Sequence, residues 1–90
     1  MLKIRYHHTF KKDYKLMKKR GKDLAKLKYV VNELANQRPL DEKYRDHELT
    51  GNYRNFRECH IEPDWLLIYR IEKGELTLAL VRTGTHSDLF

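Results

Sequence analysis

One cysteine, two prolines and four glycines stand among the 90 residues, and each scarcity excludes something. A lone thiol, Cys59, cannot form an intrachain disulfide, so a disulfide-stapled scaffold is ruled out and a reducing compartment fits. Proline, glycine and serine nowhere cluster into a linker or low-complexity segment, and no internal repeat is present. The longest apolar run is the five residues Trp65–Tyr69, far short of the roughly 18–20 that a membrane-spanning helix needs. The opening Met-Leu-Lys-Ile-Arg-Tyr lacks the apolar region of a secretory signal, so a cytoplasmic location is expected. A chain this short has room for one domain, residues 1–90. With 40% hydrophobic residues it can fill one core, but it cannot enclose a large buried cavity.

Charge is plentiful and unevenly placed. The net charge is +6. Residues 1–45 hold 14 Lys/Arg against 5 Asp/Glu, and residues 46–90 hold 5 against 8. The basic excess therefore sits in the first half and points to an anionic partner there, with nucleic acid the best fit. A merely soluble lysine-rich surface is the alternative reading of the same charge.

Local patterns give the elements. Leu2, Ile4 and Tyr6 alternate with Lys3 and Arg5 as in a short half-buried strand. Thr9 is placed to cap a helix in which Phe10, Tyr14 and Met17 form the core face, and Lys11, Lys15, Lys18 and Lys22 form the opposite stripe, with Lys12 and Lys19 beside them. Gly21 suits the left-handed residue that ends it. Asp23 opens a second helix through Leu24, Leu27, Val31 and Leu34, with Val30 alongside, and Pro39 stops it. Residues 36–52 read as one long loop. Three strands follow, over 53–61, 65–71 and 75–82, with turns at Pro63-Asp64 and Glu72-Lys73-Gly74. In the last strand Leu76, Leu78 and Leu80 are expected to meet the helices. Residues 85–90 read as a short tail. The expected class is α+β: a mainly antiparallel four-stranded sheet in the order β-α-α-β-β-β, covered on one face by two N-terminal helices, its other face open for a large ligand.

A meander of that kind gathers residues that are distant in the chain. The end of the first meander strand, the start of the second and the end of the third share one edge, so His60, Asp64, Trp65, Arg82 and His86 come within reach of one another. His47 joins them if its loop folds back. Imidazoles that can accept or donate a proton near neutrality, an arginine fork for phosphate and a flat ring for a base suit the cleavage of RNA through its own 2′-hydroxyl. Each also has a structural reading: Trp65 as core filler, Arg82 paired to Glu58 or Asp64, a histidine merely hydrogen-bonded at a strand end. Three histidines and a carboxylate could instead hold zinc. No two stand at close ligand spacing, so neither metal nor cofactor is expected.

Three blocks carry a specific resemblance. Asp46-His47-Glu48-Leu49-Thr50-Gly51, Phe56-Arg57-Glu58-Cys59-His60-Ile61-Glu62-Pro63-Asp64-Trp65 with the apolar strand that follows, and Arg82-Thr83-Gly84-Thr85-His86-Ser87-Asp88-Leu89-Phe90 resemble the YafQ-type toxins of the RelE/ParE superfamily. The resemblance runs along nearly the whole chain, Leu27-Lys28-Tyr29 included. It implies a microbial-ribonuclease-like sheet with two N-terminal helices and a ribosome-dependent mRNA interferase that works without a metal. It also implies silencing by a cognate antitoxin encoded beside the toxin. By position it makes His47, His60, Asp64 and His86 the catalytic set, with His60 and His86 as the proton-transfer pair. Trp65 and Phe90 match the family's aromatic substrate contacts. Arg82 is the arginine assigned to phosphate, with Arg57 and Arg54 less firmly placed, and Lys11, Lys15, Lys18, Lys19 and Lys22 would then meet ribosomal RNA. A non-nucleolytic, ParE-like toxin that inhibits DNA gyrase is the alternative within the same fold, and a nucleic-acid-binding module without activity is a third.

Overall fold

The computed structural model describes residues 1–90 and runs β1 (Lys3–Tyr6), α1 (His8–Lys19), α2 (Leu24–Ala35), β2 (His47–Glu48), β3 (Arg57–Glu62), β4 (Trp65–Glu72), β5 (Thr77–Gly84) and α3 (His86–Leu89). The sheet has five strands in the order β1-β5-β4-β3-β2. It is mixed: β1 lies parallel to β5, and the other pairs are antiparallel. The four-stranded expectation missed β2, a two-residue strand inside the long loop that no period-2 pattern could reveal. None of the helices is long and apolar enough to cross a membrane.

The two helices form as their sequences dictate. Phe10 and Met17 are buried on α1, and Leu27, Val30 and Leu34 on α2; Val30 rather than Val31 is the central residue. The Asp23 carboxylate accepts from the Ala25 N–H at 3.1 Å, and Gly21 takes φ +77°, the left-handed geometry at which a Cβ is strained. Thr9 does not cap α1. Its hydroxyl donates to the Val81 carbonyl at 2.8 Å, on a stretch of β5 that β1 no longer reaches. Asp13 serves the same uncovered edge by accepting from the Thr83 N–H at 3.2 Å. Helix α1 thus closes what would be an open strand edge.

Trp65, Leu67 and Tyr69 of β4 and Leu78 and Leu80 of β5 pack with the helices in the main core. Leu76, expected among them, is 66% exposed with φ +50°. It ends a 3-10 turn over Lys73–Glu75, so β5 begins at Thr77 and runs on to Gly84. A second irregularity matters more. Tyr69 pairs with Leu80 but Ile68 with Arg82, leaving Val81 as a bulge residue. The bulge resets the alternation and turns Thr83 to the helix side, where its hydroxyl accepts from Trp65 Nε1 at 2.9 Å and donates to the Leu66 carbonyl at 2.7 Å.

The other face is not wholly open. Leu66, Ile68 and Leu89 form a smaller cluster there, flanked by Leu49, Tyr53, Phe56 and Val81. Helix α3 and the segment before β3 cover part of this face. Tyr53 itself lies in a 3-10 turn, so β3 begins at Arg57 rather than at residue 53.

Candidate active site

Four elements deliver three histidines and an aspartate to one rim. In the β2–β3 pair His47 stands opposite Glu58, and His60 lies two residues further along β3 on the same face. Asp64 sits in the turn between β3 and β4. His86 is the first residue of α3, which Thr85 and Asp88 hold in a reciprocal capping box. The His47 and His60 rings lie 6.3 Å apart and the His60 and His86 rings 5.7 Å apart. They line a polar cavity together with Arg45, Asp46, Glu58 and Pro63. The sequence expectation that these imidazoles converge therefore agrees with the geometry, and His47 does fold back.

Each ring is oriented by a different partner. Asp64 Oδ1 accepts from the backbone N–H of His86 at 3.0 Å and faces its Nδ1 at 2.7 Å. These two bonds hold the Asp64 carboxyl below the ordinary carboxylate range. With Nδ1–H donating to Asp64, Nε2 of His86 keeps its lone pair. His47 Nδ1 faces the Arg45 carbonyl at 2.7 Å, so its Nε2 is free in the same sense. His60 differs, because both of its nitrogens face oxygen: Nδ1 the Pro63 carbonyl at 3.3 Å and Nε2 the Glu58 carboxylate at 3.2 Å. A carbonyl only accepts, so Nδ1 must carry hydrogen, and the Nε2–Glu58 contact is favourable only with one proton held between the two groups.

Glu58, like Arg45 on the cavity wall, is a site residue that sequence reasoning overlooked. Its side chain is 6% exposed, deep for a carboxylate, and the only signal was its place two residues before a histidine in a strand. Glu58, His60 and His86 also offer three donor atoms within 4.8 Å of one another. That nitrogen–oxygen set could hold a divalent cation, and linear spacing could not show it.

Other expectations need correction. Trp65 is fully buried, so its face cannot stack on a base; Lys22 Nζ lies 5.9 Å over the ring. The Arg82 fork is taken by Asp13, with Nε and Nη2 donating at 2.7 and 3.1 Å. Arg57 donates twice to Asp46 at 3.3 Å, and Tyr69 Oη also donates to Asp46, at 2.5 Å. Both arginines thus hold the framework around the site. Lys22 lies beyond α1 and pairs with Glu62 at 3.6 Å, leaving Lys11, Lys15, Lys18 and Lys19 as the exposed stripe. Phe90 remains available as a flat surface, 62% exposed and edge-on to Tyr53 at 5.5 Å.

Among known proteins, the family described as bacterial toxin of type II toxin-antitoxin system, YafQ, matches residues 2–90. The mRNA interferase toxin YafQ of Escherichia coli (strain K12) is 46% identical over 88 residues, which span 97% of this chain and 94% of that protein. A crystal structure of a metal-bound toxin from Helicobacter pylori is similar over 100% of both chains, with TM-score 0.95 and 52% identity. The toxin in a crystal structure of the E. coli DinJ-YafQ complex is similar with TM-score 0.89 and 44% identity over 100% of this chain and 99% of that one.

Proposed function

The chain belongs to the bacterial YafQ toxins of type II toxin–antitoxin systems, and from that premise we propose that it is an endoribonuclease that cuts messenger RNA on the translating ribosome. A cognate antitoxin silences it, as the DinJ-YafQ complex of the E. coli relative suggests, and its place of action is the cytoplasm. The observation that carries the nuclease reading is the rim itself: His86 with its Nδ1 2.7 Å from the Asp64 carboxylate, beside His60 with its Nε2 3.2 Å from the Glu58 carboxylate.

Those two contacts suit a base and an acid. His86 Nε2 takes the proton of the 2′-hydroxyl, and the freed oxygen bonds to the neighbouring phosphorus. The bond from phosphorus to the 5′-oxygen breaks, and the proton held between His60 and Glu58 passes to that oxygen. The products are a 2′,3′-cyclic phosphate and a 5′-hydroxyl end. Asp64 steadies the His86 imidazolium that forms, and His47 offers a second acceptor nitrogen. With Arg82 and Arg57 committed to carboxylates, Arg45 is the arginine on the cavity wall without a carboxylate partner, and it meets the phosphate.

One crystal structure of an H. pylori relative is of a metal-bound toxin, and in this chain Glu58, His60 and His86 are the residues that could hold a cation. A cation at those donors brings positive charge to the cavity but draws on the imidazoles that move the protons. Added zinc is therefore expected to slow cleavage and a chelator to restore it.

The test is to map message 5′ ends after incubation with and without ribosomes. Ribosome-dependent cuts that fall about 10²- to 10⁴-fold in His86→Ala are expected. Intact messages accompanied by gyrase-linked DNA breaks would overturn the reading in favour of the ParE-like alternative.

A further inference from the structure

A second groove opens from the catalytic cavity. It runs between α2, the 3-10 turn at Glu42–Tyr44 and the end of β3, and it shares Arg45, His60 and Pro63 with that cavity. Strand β2 covers β3 only at Arg57 and Glu58, and His60, Ile61 and Glu62 beyond them line the groove. Tyr29 stands on its wall, 53% exposed. The Tyr29 and Tyr44 rings lie 6.4 Å apart, and Lys43 Nζ lies 5.2 Å over Tyr44. Glu62 is the one acidic group in the lining, and Lys22 and Lys26 hold it at 3.6 and 3.0 Å. Lys43 and Arg45 are exposed and have no carboxylate partner, so the groove presents positive charge.

We infer that this groove is the track for the message strand on one side of the cut, with Tyr29 as the platform for a base and Lys43 and Arg45 as phosphate contacts. The inference rests on the nuclease reading above. Its support is the combination found where single-stranded nucleic acid binds: an aromatic face, cations along a channel, and continuity with the point at which the strand is bound. An exposed tyrosine alone would fit a protein partner equally well. The shared wall at His60 and Pro63 favours the strand.

The test uses ribosomes programmed with messages of full length, or truncated one nucleotide before or after the cut. Circular dichroism of Tyr29→Ala should match wild type, since the side chain is half in solvent. On full-length message Tyr29→Ala should cut about 5- to 150-fold more slowly at limiting enzyme, and Tyr29→Phe should restore the rate. One truncation should slow wild type to the variant's rate and abolish the difference between them. Equal rates for Tyr29→Ala and wild type on full-length message would overturn the track, as would a deficit that persists on both truncated messages. So would a variant that cuts normally but escapes its antitoxin, which would make the groove a protein interface. Absence of cleavage by wild type would instead remove the nuclease reading, and this inference with it.

Discussion

Trp65 shows how a single side chain divides between chemistry and packing. A stacking role needs an exposed face, whereas this indole is fully buried and donates to Thr83. Trp65→Ala should therefore lower unfolding free energy by about 3–5 kcal/mol in urea melts. A true stacking residue would lose activity with stability unchanged. Glu58 poses the opposite case. Glu58→Gln keeps the shape but cannot share a proton with His60 in the same way, so ribosome-dependent cleavage should fall by about 10² or more. A variant cleaving at the wild-type rate would remove Glu58 from the acid. The buried thiol of Cys59 has its pKa pushed up by burial and has no place in the chemistry.

Helix α3 is the element on which the rim depends. It is only four residues long, too short to persist without tertiary anchors. Those anchors are Leu89 in the smaller core cluster, the capping box, and the Arg20–Asp88 pair at 2.7 and 3.2 Å. Gly84 lets α3 come close, since a Cβ there would lie 3.0 Å from Asp88. Arg20 holds the Asp88 carboxyl well below its ordinary value, helped by the Thr85 N–H, and His86 does the same for Asp64. Both folded-state values are depressed. Their stabilisation is thus fully present above the unfolded value, near pH 4, and is lost as pH falls through the folded ones. Amide protection at His86–Leu89 should fade below about pH 4 while β4 and β5 stay protected, as read by hydrogen exchange. Simultaneous loss in all three elements would show that α3 has no separate acid-labile anchor.

Across the whole molecule, charge is sorted by face. The α1 lysines stand on the outer side of the helix layer, away from the rim on the opposite sheet face. A ribosome contact there is compatible with a message strand at the histidines. Lys15→Glu with Lys18→Glu should weaken ribosome binding and reduce its log–log salt slope by about two, with the fold unchanged by circular dichroism. An unaltered slope would take the stripe out of the ribosome contact.

What the chain order settled by itself was whatever depends on near neighbours: two amphipathic helices broken at Gly21 and stopped before Pro39, three long strands with their turns, a basic first half, and His60 near a strand end. The motif blocks carried the family because they keep residue types at fixed spacing. Tertiary structure alone decided the rest. A two-residue β2, the parallel β1–β5 pairing and the Val81 bulge arise from strand pairing, which leaves no periodic trace. The bulge sent Thr83 to Trp65, and an edge without a partner strand drew Asp13, and Arg82 with it, away from the site. Which proton sits on which imidazole depends on an oxygen about 3 Å away, and that oxygen is supplied by the fold.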